Sequence, residues 1–291
     1  MKKLFMIAVA SLAFMQGAYA EDEDSRLFNH LSIGVNVGTT GIGADVAMPA
    51  TKWLEIEAGF SIMPKIKYTT DVHLNLPQST INTINGFIND YKTYNPSSTF
   101  QPINYNDVST VPIQGKLNMV NGKVLINYLP FKKSNFHLTV GAYFGSSDVI
   151  EVYNKQDGQL SVVNKANGFI EQANAATLPI PGWTNQDLVG LKLGDYLLTP
   201  DANGNAKATL KTKAFKPYVG FGFGRAVPKN KRVGFKFDMG AMFWGTPEVI
   251  DHNGTDLAKQ DWDGKDGGAF RIISKIKVYP VINFRICGRI F

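Results

Sequence analysis

Between Leu54 and Val72 the chain changes character at every step. Leu54, Ile56, Ala58, Phe60, Ile62, Pro64, Ile66, Tyr68, Thr70 and Val72 are uncharged and mostly apolar, and between them stand Glu55, Glu57, Gly59, Ser61, Met63, Lys65, Lys67, Thr69 and Asp71. A period of two marks a β-strand, whose successive side chains point to opposite faces. The same period sets Leu31, Ile33, Val35 and Val37 against Ser32, Gly34 and Asn36 in 30–38, and Ile42, Ala44, Val46 and Met48 against Gly43 and Asp45 in 41–49. It recurs in 120–130, 135–146, 214–226, 232–245 and 274–291, which makes about eight strands, an even number. Leu117 and Met119 are out of phase with Val124, Ile126 and Tyr128. One extra residue would shift the alternation, which predicts a β-bulge near Asn121 and Gly122. Gly220, Gly222 and Gly224 do not match a phosphate-binding loop and lie inside a strand pattern, so they predict a crowded strand face.

Three connections are brief, at 50–52, 131–134 and 228–232. Three are long, at about 74–111, 152–213 and 246–270, and rich in Asn, Asp, Gly, Pro and Ser. With antiparallel neighbours, the short turns fall at one end of the sheet and the long loops at the other, where only the tight Thr39–Thr40 turn joins them. The predicted fold is all-β: an antiparallel up-and-down β-barrel over residues 30–291. Its third strand is long enough to project beyond the rim, past Lys65.

Residues 1–20 carry Lys2 and Lys3, an apolar run from Leu4 to Met15 and the small-x-small site Ala18-Tyr19-Ala20. This predicts a cleaved secretory signal, followed by an acidic segment at 21–29. The residue after the cut is Glu21, not a cysteine that could be lipidated, and no later run is apolar enough for a spanning helix. Cys287 is the sole cysteine, so no internal disulfide can form. Removing Lys2 and Lys3 lowers the formal charge from +6 to +4, and without a basic run the chain is not expected to bind nucleic acid.

Alternation alone also fits a soluble sheet with its apolar face turned inward. The asymmetry of loop lengths, a polar face of small residues and charges of both signs, and a chain ending on its last strand point instead to lipid outside and a narrow lumen inside. A lysine facing the bilayer midplane costs roughly 2 to 4 kcal/mol. Slipping residues 53–73 by one position would turn Glu55, Glu57, Lys65 and Lys67 to lipid together, a cost comparable to a domain's whole stability of ~5 to 15 kcal/mol. Signal peptide, even strand number, loop asymmetry and terminal Phe291 together resemble the small eight-stranded outer-membrane β-barrel proteins of the OmpA, OmpX and OmpW kind. The resemblance covers almost all of the mature chain and carries no catalytic motif. It implies short periplasmic turns, long outer loops, and outer-membrane lipids and the outer-membrane assembly machinery as partners. The chain departs from the family's assembly signal: counted back from Phe291, the alternate positions hold Arg289, Cys287 and Arg285, and the apolar set is displaced to Ile290, Ile286 and Phe284.

An eight-stranded barrel has an interior just wide enough to be filled by side chains. Asp45, Glu55, Glu57 and Asp238 share the polar phase with Lys65, Lys67, Lys236, Lys275, Lys277 and Arg285, which predicts an ion network that plugs the lumen. The leading expectation is thus a non-enzymatic barrel acting through its outer loops, as a surface-recognition or envelope-structural protein. Phe87, Tyr91, Tyr94, Trp183, Tyr196 and Trp262 are the loop aromatics that could meet a surface ligand or pack the loops together. The alternative, implied by the OmpW resemblance, is a transporter of small apolar molecules, with Met63, Tyr143, Tyr218, Met242 and Trp244 as the candidate apolar pocket. An outer-membrane hydrolase ranks lower: Asp71, His73, Ser146, Ser147 and Asp148 offer the residue types of a catalytic triad, but no spacing selects them. No cofactor is expected. Asp251, Asp256, Asp261, Asp263 and Asp266 do not follow calcium-loop spacing, so a solvated loop is expected and no metal.

Overall fold

The computed structural model describes residues 29–73, 78–104, 110–131, 134–175, 180–193, 196–229, 231–257 and 275–290. The expected signal peptide, nearly all of the acidic segment, and Phe291 lie outside the described residues. In chain order the strands are β1 (Ser32–Gly38), β2 (Gly41–Pro49), β3 (Leu54–Ile62), β4 (Lys67–His73), β5 (Thr110–Leu117), β6 (Val120–Tyr128), β7 (Phe136–Gly145), β8 (Asp148–Asn154), β9 (Leu191–Leu193), β10 (Tyr196–Leu198), β11 (Lys207–Lys211), β12 (Phe215–Gly224), β13 (Val233–Phe243), β14 (Glu248–Asp251) and β15 (Val278–Arg289). The helices are α1 (Gln78–Tyr94) and α2 (Ser161–Asn174). Among the described residues no helix is long and apolar enough to cross a membrane.

Eight strands close into a barrel in the order β1-β2-β3-β6-β7-β12-β13-β15, every neighbour antiparallel. β15 returns to β1 from Ser32↔Arg289 to Gly38↔Asn283. The apolar phase points outward throughout: Val35, Phe60, Val140, Phe223, Phe235 and Phe284 are all exposed. The charged phase points inward, where Glu55, Glu57, Lys236 and Arg285 are almost wholly buried. A barrel has no open edge, so each strand's backbone groups are paired on both sides.

The long connections, expected to be irregular, form a second layer. β4, β5, β8, β11 and β14 make a five-stranded sheet, and β9 pairs with β10. Each strand of the five-stranded sheet continues, or leads into, one of β3, β6, β7, β12 and β13, in the same lateral order. Five adjacent staves of the barrel thus rise into a folded lobe, whereas β15, β1 and β2 stop at the rim. There the Thr39 amide donates to the Ile282 carbonyl at 2.9 Å and its hydroxyl to the Pro280 carbonyl at 3.0 Å, pinning the β1–β2 turn to β15. In the lobe, Ile81, Ile84 and Ile88 form one stripe of α1. They pack with Val163, Phe169 and Ile170 of α2 and Val111 and Ile113 of β5.

Two expectations about strand continuity are corrected. The third strand does not run past Lys65: β3 ends at Ile62, the chain turns through Pro64, and β4 begins at Lys67 in the other sheet. Alternation survives the break because both sheets have two unlike faces. The bulge at Asn121 and Gly122 is absent, since β6 pairs without a shift from Val120 to Tyr128 with β3 and from Asn121 to Tyr128 with β7. The phase changes because β5 and β6 belong to different sheets.

At the opposite end the turns are short, but one is not a simple surface turn. After Gly224, whose φ of 102° is readily adopted only by glycine, the chain folds into the barrel mouth and buries Ala226 and Val227 against Ala47.

Candidate functional site

The inward faces of the barrel strands bring one connected set of charges together. Glu57 of β3 accepts hydrogen bonds from the ammonium groups of Lys123 on β6, at 2.5 Å, and Lys236 on β13, at 2.9 Å. Asp45 of β2 takes Lys123 at 3.0 Å, the Asn36 amide at 2.8 Å and the Arg285 Nε at 2.5 Å. Asp238 pairs with Lys236 at 3.0 Å and with His137 Nε2 at 2.8 Å. Nearer the short turns, Glu55 accepts from Arg225 Nε at 3.0 Å and the Ala226 amide at 2.8 Å, while Arg285 Nη1 donates to the Ala226 carbonyl at 2.7 Å. Contacts therefore cross the lumen between strands that are not neighbours.

A buried ion is tolerable only with close opposite charge and satisfied hydrogen bonds, and this set supplies both except at Arg285 Nη2, which has no hydrogen-bond partner among the described residues. Glycines leave room for it. A Cβ on Gly34 would lie 2.6 Å from the Arg285 guanidinium carbon, and one on Gly222 would lie 2.6 Å from His137 Nε2. Lys216 differs from the other buried cations: its ammonium donates to Asn121 Oδ1 and the Ser146 carbonyl, both at 3.0 Å, and to no carboxylate among the described residues.

Of the residues expected in this network, Asp45, Glu55, Glu57, Lys236, Asp238 and Arg285 lie in it. Lys65, Lys67, Lys275 and Lys277 do not, and that part of the expectation is corrected: all four are exposed, beyond the end of β3 or ahead of the start of β15. Lys123, His137, Asn36 and Arg225 were missed. The first three occupy the polar phase of their strands and could have been found by the same alternation. Arg225 lies in the infolded turn, which alternation does not describe.

The five residues of the candidate apolar pocket fall into two clusters toward the lobe. Tyr143 and Tyr218 meet edge to face at 5.5 Å and pack with Met242, Val281 and Leu125. Trp244 packs with Met119 and Val149, with Met63 and Tyr279 beside them. The Trp244 indole donates to the Ile276 carbonyl at 2.7 Å and the Tyr279 hydroxyl to the Thr39 carbonyl at 2.6 Å, so both rings are anchored at the rim.

The hydrolase residues are not brought together. His73 pairs with Thr110 at the far end of β5, whereas Leu117, at the barrel end of β5, pairs with Ile150, just beyond Asp148. The seven steps from Thr110 to Leu117 span roughly 23 Å at about 3.3 Å per residue. Of the calcium candidates, Asp251 uses Oδ1 to accept the amides of Asn253 and Thr255, both at 2.8 Å; Asp261, Asp263 and Asp266 lie outside the described residues. Among the loop aromatics, Phe87 meets Trp183 at 4.9 Å and Tyr91 meets Phe169 at 6.2 Å, within the lobe core. Tyr94 is exposed, and neither the Tyr196 side chain nor Trp262 is described.

The architecture is a closed eight-stranded antiparallel barrel with an apolar exterior and a charged interior. No protein-family model matches the chain, and no curated protein matches it. Among solved structures it is similar to Acinetobacter baumannii CarO2, with 17% identity over 89% of this chain and 98% of that one and a TM-score of 0.44. It is also similar to CarO of the same organism, with 18% identity over 88% and 96% and a TM-score of 0.42. A major outer membrane protein from Thermus thermophilus follows, with 14% identity over 89% and 98% and a TM-score of 0.26. The barrel assignment rests on the strand pairing itself.

Proposed function

We propose that this chain is a non-enzymatic outer-membrane β-barrel whose lumen is closed to free diffusion and whose outer lobe is the working surface. A closed barrel with an apolar exterior and charged interior suits lipid, because water would leave the exposed band of Val, Ile and Phe unpartnered. The observation that carries the closed lumen is the set of ion pairs Lys123–Glu57, Lys236–Glu57 and Arg285–Asp45, whose side chains are 3% exposed or less. The lobe caps five of the eight staves, and loops on a rigid scaffold are where recognition concentrates.

The test is electrophoresis of the detergent-purified mature chain with and without boiling, and single-channel recording on the same sample. A heat-modifiable band without conductance is the expected result. Steady conductance would overturn the closed lumen. A chain soluble without detergent would overturn the membrane reading.

A second reading, transport of small apolar molecules, is favoured by the cluster in which Tyr143, Tyr218 and Met242, on staves that rise into the lobe, pack against Val281 of β15, a stave that stops at the rim.

A further inference from the structure

At the end of the barrel away from the lobe, the turns between β2 and β3, β6 and β7, and β12 and β13 surround a cavity of about 290 Å3. Lys52, Arg225 and Lys229 line it together with Trp53, Leu129 and Phe131. Among the described residues, charge at this end is one-sided. Lys52, Lys229, Lys231 and Arg232 are exposed, and among the described residues of these turns no acid is. Glu55 is buried beneath Arg225, 3.0 Å from its Nη2. The apolar wall is one-sided as well: Phe131 is 57% exposed and Trp53 40%. Phe131 leads through Phe136, at 6.2 Å, to Phe223, at 5.5 Å from Phe136, in a row on the outer face.

The same turn borders a second concavity. Gly224, one residue before Arg225, lines an outward groove of about 500 Å3 with Phe223, Phe235, Phe237, Phe284 and Ile286. The cationic cavity and the aromatic groove meet at the end of β12, where Arg225 lines one and Gly224 the other, and they match the two halves of a phospholipid. Aromatic belts sit at headgroup depth, and cations near the surface attract anionic headgroups.

We infer that this end of the barrel is a binding site for an anionic phospholipid. Lys52 and Lys229, with Arg225 behind them, take the phosphate, and Phe223, Phe235 and Phe284 take an acyl chain. The inference rests on the membrane reading above and adds a ligand class at the end opposite the lobe.

Native mass spectrometry of the full mature chain in neutral detergent tests it, with phosphatidylglycerol and phosphatidylcholine offered at equal mole fraction and inorganic phosphate as competitor. Phosphatidylglycerol is expected to be retained about tenfold better than phosphatidylcholine, and the pair Lys52→Gln and Lys229→Gln to remove that preference. Equal retention of the two lipids, or an unchanged preference in the paired variant, would overturn the inference. Displacement by equimolar inorganic phosphate would assign the cavity to the free anion and overturn it too. So would a gain in lipid retention on neutralising Glu21 to Asp24, which would assign the cavity to the chain's own acidic segment. The heat-modifiable band of each sample separates these outcomes from a failure to form a membrane barrel.

Discussion

Glu57 is the carboxylate that Lys123 and Lys236 share, and its removal tests whether the lumen network stabilises the barrel. Each lysine would keep a second acid, Asp45 or Asp238, but both would sit in a positive excess with no water to spread it. Removing one partner of a buried ionic set costs about 3 to 5 kcal/mol. Glu57→Ala is therefore expected to unfold at clearly lower urea in lipid vesicles, followed by the heat-modifiable band. Lys67→Ala, at an exposed position, should stay within about 0.5 kcal/mol of the parent. The two residues carry equivalent signals in the sequence, since both stand in the polar phase of one unbroken alternation. What separates them is the end of β3 at Ile62, and alternation is blind to that end because the chain leaves one two-faced sheet and enters another. Lys123 and His137, though missed, were open to the same reading for the opposite reason: they lie inside their strands, where phase alone decides the direction of a side chain.

At the scale of elements, the barrel strands were legible because an exposed apolar face and a buried charged one make their two sides as unlike as two faces can be. The lobe was not. α1 reads as a string of Gln, Ser, Thr and Asn, residues that favour caps and turns, and its apolar stripe is only Ile81, Ile84 and Ile88 with Phe87 beside them. Tertiary packing against α2 and β5 holds it as a helix, and composition alone suggested a loop. β8 is joined to its neighbours by charge as well as by backbone. Glu151 lies 3.3 Å from Lys116 on β5 and 3.5 Å from Lys207 on β11. Partial burial pushes its carboxyl up, but the hydrogen bond from Lys116 and the charge of Lys207 outweigh this and hold it below the ordinary carboxylate value. A depressed folded-state value means that the stabilisation is complete above the unfolded-chain value of ~4.3 and is lost as pH falls through the folded value. Amide exchange in β8 and β11 should accelerate below about pH 4, and Glu151→Gln should remove that dependence. The effect will be small, because Lys207 is half exposed and solvent screens the pair.

For the whole molecule, the question is which layer closes the lumen: the ions within the barrel, the aromatic clusters at its rim, or the lobe above. The lobe rises from β3, β6, β7, β12 and β13, while every barrel pairing lies below it. Replacing 63–119, 146–214 and 244–277 by short turns would therefore leave all eight strands and the set of Asp45, Glu57, Lys123, Lys236, Asp238 and Arg285 intact. It would also remove Trp244, Met119 and Val149 from the rim. Such a chain should still give a heat-modifiable band, because the barrel's register is held by its outward apolar face and its inward charges. It should also remain non-conducting, because the ion pairs cross the lumen at a depth that the deletion does not touch. Adding Glu57→Ala to the shortened barrel should then produce brief conducting events, as Lys123 and Lys236 repel and the lumen admits water. Steady conductance from the shortened barrel with Glu57 in place would instead make the lobe and rim the closure, and the lumen charges the lining of a path.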